Sequence, residues 1–139
     1  MWSVLLDNCV ATTETCTEVH RAFSPTVDIK ARILGGGSLV LQLSTREIAV
    51  ATSTILALKV FQAPDGTPAS AALPLEHLSP WDIVMHGTVV EVDSGGRGIT
   101  LSADGIPVVV TLGANTEATL ALDVARPLAR VAILVAVNP

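Results

Sequence analysis

The sequence is poor in aromatic side chains. They make up 3% of its 139 residues, which works against a surface that stacks nucleic-acid bases. Positive charge is scarce as well: Lys and Arg total 8 against 13 Asp and Glu, a net charge of −5. A nucleic-acid interface needs a basic stripe to neutralise phosphates, so nucleic acid is not an expected partner. Charged residues of all kinds are 15% of the chain, low for a soluble monomer. That shortage predicts a surface partly covered by other subunits. There are two cysteines, Cys9 and Cys16, too few for a zinc site. They read as small apolar residues in or beside a strand, or as a disulfide across a hairpin in an oxidising compartment.

Other absences bound the function. No apolar run is long enough to span a membrane. The start, Met1 to Leu6, lacks basic residues and is soon interrupted by Asp7, so it does not read as a signal peptide. The expected location is cytoplasmic. No Ser/His/Asp set, carboxylate pair or metal-binding cluster stands out. His20, His77 and His86 share no spacing and read as surface residues. A binding protein is expected rather than an enzyme.

What is present is aliphatic. Half of the residues are hydrophobic, and small branched side chains suit tight sheets and barrels. Val27, Ile29, Ala31 and Ile33 alternate with Asp28, Lys30 and Arg32, a strand with one buried and one wet face. Gly35-Gly36-Gly37 permits a turn at positive φ, and Leu39, Leu41 and Leu43 resume the alternation, completing a hairpin. Ser44 with Glu47 has the spacing of a helix-capping box, which predicts one helical turn. Thr54 to Phe61 reads as a strand buried on both faces. Residues 62–76 carry three prolines and a Pro-Asp-Gly turn, the mark of a linker. Strands are then expected at Met85 to Val92, Ile99 to Ala103, Pro107 to Leu112 and Leu128 to Val137. Asp104-Gly105 serves as a hairpin turn, and Thr116 to Leu120 is a second candidate helical turn.

The second half echoes the first. Trp2 to Val10 sets against Trp81 to Val89, bringing the only two tryptophans into register, and Ser44 to Val50 sets against Thr116 to Leu122. The surplus residues fall in a longer first hairpin of the N-terminal copy, where insertion costs little. The expected fold is all-β: two tandem small OB-fold-like β-barrels, each with one short helical turn. The expected units are 1–61, a linker 62–76, and 77–139.

These residues resemble the Mop domain, a molybdate-binding, transport-associated OB module. In the first copy the likeness lies in Ile33-Leu34-Gly35-Gly36-Gly37, Ser44-Thr45-Arg46-Glu47-Ile48-Ala49-Val50 and Ile55-Leu56-Ala57-Leu58-Lys59. In the second it lies in Leu78-Ser79, Gly87-Thr88-Val89, Val110-Thr111 and Thr116 to Val137. Two copies resemble the free-standing di-Mop molbindins, so the resemblance implies cytoplasmic binding or storage of molybdate, tungstate or a related oxyanion. It also implies assembly as a trimer of tandem chains, with aliphatic edge strands covered by neighbours. The alternative is an oligomeric scaffold or protein-interaction module of the same fold without the oxyanion site.

The resemblance also implies site residues. Ser79 matches the Ser of the family's Ser-x-Arg-Asn segment, Asp82 stands at its Asn, and Trp81 replaces its Arg, as Trp2 does in the first copy. Lys59 matches the family's Lys, with Ile133 or Leu134 as its counterpart. Ser44, Thr111 and Thr116 match hydroxyl positions. Hydroxyls, amides and one fixed cation suit a tetrahedral anion, but loss of the Arg removes a bidentate donor. Each residue also has a structural role open to it: the tryptophans as barrel plugs or subunit contacts, Ser44 and Thr116 as helix caps, and Lys59 as an edge residue reaching solvent.

Overall fold

The computed structural model describes every residue except 22–23, 45–48, 69, 94, 96 and 122. Its strands are β1 (Ser3–Arg21), β2 (Ser24–Ile33), β3 (Gly37–Ser44), β4 (Ile55–Gln62), β5 (Ile83–Val92), β6 (Gly98–Ala103), β7 (Ile106–Leu112), β8 (Thr119–Leu120) and β9 (Arg130–Val137). The period-two pattern of β2 and β3 folds as it reads: Val27, Ile29, Ala31, Ile33, Leu39, Leu41 and Leu43 are all buried. Among the described residues no helix is long and apolar enough to cross a membrane.

The tandem of two barrels is not what forms. The strands make one sheet in the order β2-β3-β7-β6-β5-β9-β4-β1, and β1 pairs back with β2. That closes a single antiparallel barrel of 8 strands, four from each half of the chain. The short β8 adds to β1 at Leu6 and Asp7. Every strand pair is antiparallel, and side chains fill the interior, as in other small barrels. The reason lies at the edges. Each half is a four-stranded piece with β3 or β7 at one edge and β4 or β9 at the other. Pairing the two halves with each other satisfies all four edges at once.

The duplication survives as a pseudo-two-fold axis. Glu14 and Val90 are the extra residues of matching β-bulges in β1 and β5. Beyond the bulges, Thr15 faces Lys30 and Lys30 faces Val40; likewise Glu91 faces Thr100 and Thr100 faces Val109. On the other side Cys9 faces Leu58, as Met85 faces Ile133. Val40 and Val109 are thus counterparts, as are Lys59 and Leu134. Each of these pairs sits directly opposite its own counterpart at a seam between the halves.

The two expected helical turns differ in outcome. The one after Ser44 lies outside the described residues. Thr116 to Leu120 is not helical, because Thr119 and Leu120 extend to pair with β1. The helical turn that is seen, a 3-10 turn at Leu75–His77, lies in the connector between the halves. That connector packs down: Leu73, Leu78 and Trp81 join Trp2, Phe61, Val84, Ala132 and Leu134 in a second cluster outside the barrel. This cover explains why β9 is buried on both faces. The cysteines cannot pair as a hairpin disulfide, because both lie on β1, where seven residues span on the order of 23 Å. His86 is half-buried rather than fully on the surface, with its Nε2 buried and without a partner.

Candidate functional site

Within one chain the sequence-predicted residues stand on opposite walls of the barrel. Lys59, Trp81 and Asp82 belong to the wall built by β4, β9 and β5. Lys59 already has company: its Nζ lies 3.8 Å from Asp7 and 5.1 Å from the centre of the Phe61 ring. Asp82 closes the end of β9, its amide donating to the Val135 carbonyl and its carboxylate accepting from the Val137 amide at 2.8 Å. Trp81 packs in the outer cluster with Trp2. Ser79 is exposed in the turn before it.

The hydroxyls lie across the barrel, toward the β3–β7 seam. The Thr116 hydroxyl donates to the Leu34 carbonyl at 2.9 Å and accepts from the Ala118 amide at 3.1 Å. It ties the two hairpin ends together without a helix to cap. Thr111 lines a hollow with Glu91 and Asp93, a field of the wrong sign for an anion. Ser44 ends β3 opposite Thr26.

A different place gathers positive charge. A hollow of about 340 Å³ lies between the turn Pro64–Thr67 and the turn Arg126–Ala129 leading into β9. Gln62 builds it. Its side chain is buried and reaches across the sequence, donating from Nε2 to the Val124 carbonyl at 2.7 Å and accepting the Arg126 amide at 3.1 Å. The next residue continues the clamp, the Ala63 amide donating to the Arg130 carbonyl at 2.9 Å. On the facing side the amide and hydroxyl of Thr67 both donate to the Pro64 carbonyl, and Gly66 supplies the positive φ of 78° that the tight turn needs.

Two arginines, Arg126 and Arg130, line it. Arg126 spends one Nη2 donor on the Ala63 carbonyl at 3.0 Å, which fixes its direction and leaves the other N–H groups of the fork uncommitted. Arg130 has a buried Nε with no acceptor. A buried donor left unmet costs about 1–3 kcal/mol. Other cations with known contacts are occupied: Arg32 pairs with Glu14, and Arg97 donates to the carbonyls of Leu112 and Gly113. Asp65, exposed at the rim, carries the one opposing charge in the lining. The sequence reading passed over Arg126, Arg130 and Gln62. A signal was present: Gln62 ends the largely apolar β4, and Arg130 opens the otherwise apolar β9.

No protein-family model matches the sequence, and no curated protein does. A solved structure of a cytoplasmic molybdate-binding protein, ModG, with molybdate bound, aligns over 97% of this chain and 94% of its own, at 14% identity and a TM-score of 0.32. That likeness is too low to carry a fold or a ligand across.

Proposed function

We propose that this barrel is a binding protein for a small oxyanion, held in the hollow between residues 64–67 and 126–130. The observation that carries the reading is that Arg126 and Arg130 line one hollow in an acidic chain. An anion oxygen accepts from guanidinium N–H groups in short, charge-assisted bonds, and two forks can hold a tetrahedral oxyanion from two sides. The sequence resemblance to Mop domains makes molybdate and tungstate the first candidates, in a cytoplasmic carrier or store. The duplication is then a module copied once and closed on its copy, joined through residues 62–76. Assembly into a homo-oligomer, a trimer in the resemblance, belongs to the same reading.

Calorimetric titration with molybdate, tungstate and inorganic phosphate tests it. The expected outcome is saturable binding to the whole chain that weakens about 10- to 100-fold in Arg130→Met, the worth of one hydrogen bond to a charged group. Absence of heat and of any thermal shift at millimolar anion would sink the proposal, since a ligand bound only to the folded state must raise its stability.

The second reading, a scaffold without an anion site, is favoured by one feature. Two tryptophans and Phe61 meet on the outside of the β4–β9–β5 wall, where Lys59 is already paired with Asp7.

A further inference from the structure

The turn that carries Arg126 has a counterpart in the first half. Ser53 has φ 71° and donates its amide to the Thr13 carbonyl at 2.8 Å, while the Thr13 amide donates to the Thr54 carbonyl at 2.9 Å. Leu128 has φ 65° and donates to the Val89 carbonyl at 2.8 Å, while the Val89 amide donates to the Ala129 carbonyl at 2.9 Å. The backbone is the same, and both residues precede the strand at the β4–β9 seam. The side chains are opposites. Where the first half has a serine, the second half has a leucine that is 81% exposed.

The fold explains the backbone but not the leucine. A left-handed conformation is unfavourable for a bulky side chain by about 1–2 kcal/mol, and a large apolar group in water gains nothing there. Both disadvantages fall on one residue, in the lining of the two-arginine hollow. Pro64 and Pro127 line the same hollow as Leu128. The volume, about 340 Å³, leaves room beside the two arginines for more than a tetrahedral ion.

We infer that the ligand class is an organic anion, a phosphate ester or carboxylate, whose charged head meets Arg126 and Arg130 and whose apolar body lies on Leu128. This rests on the oxyanion reading of the hollow and adds the body to it. The apolar wall supplies affinity that an inorganic ion cannot collect, and Leu128 is the residue that distinguishes the two.

Paired titrations of the whole chain with inorganic phosphate and phenyl phosphate test the inference, in the natural sequence and in Leu128→Ser. The substitution installs the residue that the same backbone already carries at position 53. Phenyl phosphate is expected to bind about tenfold tighter than phosphate, the return on covering on the order of 60 Å² of apolar surface. Leu128→Ser is expected to erase that preference while changing phosphate affinity less than about twofold. Phosphate binding with no preference for the phenyl ester, or a preference that persists in Leu128→Ser, overturns the organic-anion inference and leaves the oxyanion reading standing. Binding of neither probe overturns the organic-anion inference, and the oxyanion reading then falls too if molybdate and tungstate also give no heat.

Discussion

The backbone amide of Arg126 donates to the side-chain oxygen of Gln62 at 3.1 Å, joining the end of β4 to the turn that opens β9. The same amide group of Gln62 reaches the Val124 carbonyl through its nitrogen. One buried side chain therefore satisfies a donor and an acceptor of a loop that has no strand partner. Gln62→Leu fits the space but strands both groups, at about 1–3 kcal/mol each. The expected loss is about 2–5 kcal/mol in urea unfolding, together with weaker anion binding, because Arg126 is no longer aimed. A loss below about 0.5 kcal/mol would show that the loop is held by something else.

The β3–β7 seam makes a sharper demand. Gly37 has φ 109°, and a Cβ there would overlap the Thr111 carbonyl oxygen across the seam. Gly105 has φ 81°, but nothing lies within 4 Å of its added Cβ. Both substitutions to Ala carry backbone strain of about 1 kcal/mol. Only Gly37→Ala adds a backbone collision, so it is expected to cost on the order of 3 kcal/mol or more. Thermal melts of the two variants should separate clearly. Equal melts would mean that β3 and β7 do not meet in this register.

The strands were largely legible and their partners were not. Alternation at Val27 to Ile33 and Leu39 to Leu43 reports a buried face, because side chains point to opposite sides of a strand in turn. Asp104-Gly105 reports a turn, because its residues tolerate positive φ (53° and 81° here). Neither signal says which strand lies beside Val40 or Lys59. Both halves end in aliphatic edges of the same pattern, so closing each on itself and closing each on the other look alike in sequence. The candidate site was less legible still. Ser79, Lys59 and Thr116 follow the family pattern, yet Lys59 is engaged by Asp7 and Thr116 by Leu34. Arg126 and Arg130 are brought to the turn of Thr67 by a clamp from Gln62 and Ala63, contacts that span the two halves and leave no local spacing to detect.

A single barrel and a tandem of barrels differ in what an isolated half can do. Residues 1–68 alone would leave β4 without β9 and β3 without β7, two open edges and half a core. Such a fragment is expected to lack a cooperative thermal transition, because the seam strands Leu56 to Gln62 and Gly37 to Val40 lose every cross-half partner. Mixing it with residues 69–139 should restore strand circular dichroism and a melt. A cooperative melt of the first fragment on its own would favour two independent units.

Cys9 sets a pH limit on the barrel. It is 1% exposed among aliphatic side chains, and burial pushes its thiol from the ordinary 9.0 up to about 11. Burial disfavours the thiolate, so the folded state keeps its proton after the unfolded chain has lost it. This stability is fully present below pH 9 and is lost as pH rises from about 9 to about 11, where it totals about 3 kcal/mol. Urea midpoints taken across that window should fall in the natural chain. They should fall less steeply in Cys9→Ala, which has no thiol to ionise and starts lower because of the small cavity it leaves. The same protection sets an order of reaction: at pH 8 a thiol reagent is expected to label the half-exposed Cys16 first, and Cys9 only on unfolding. Parallel slopes for the two proteins, or prompt labelling of Cys9 in the folded chain, would place that thiol in contact with water.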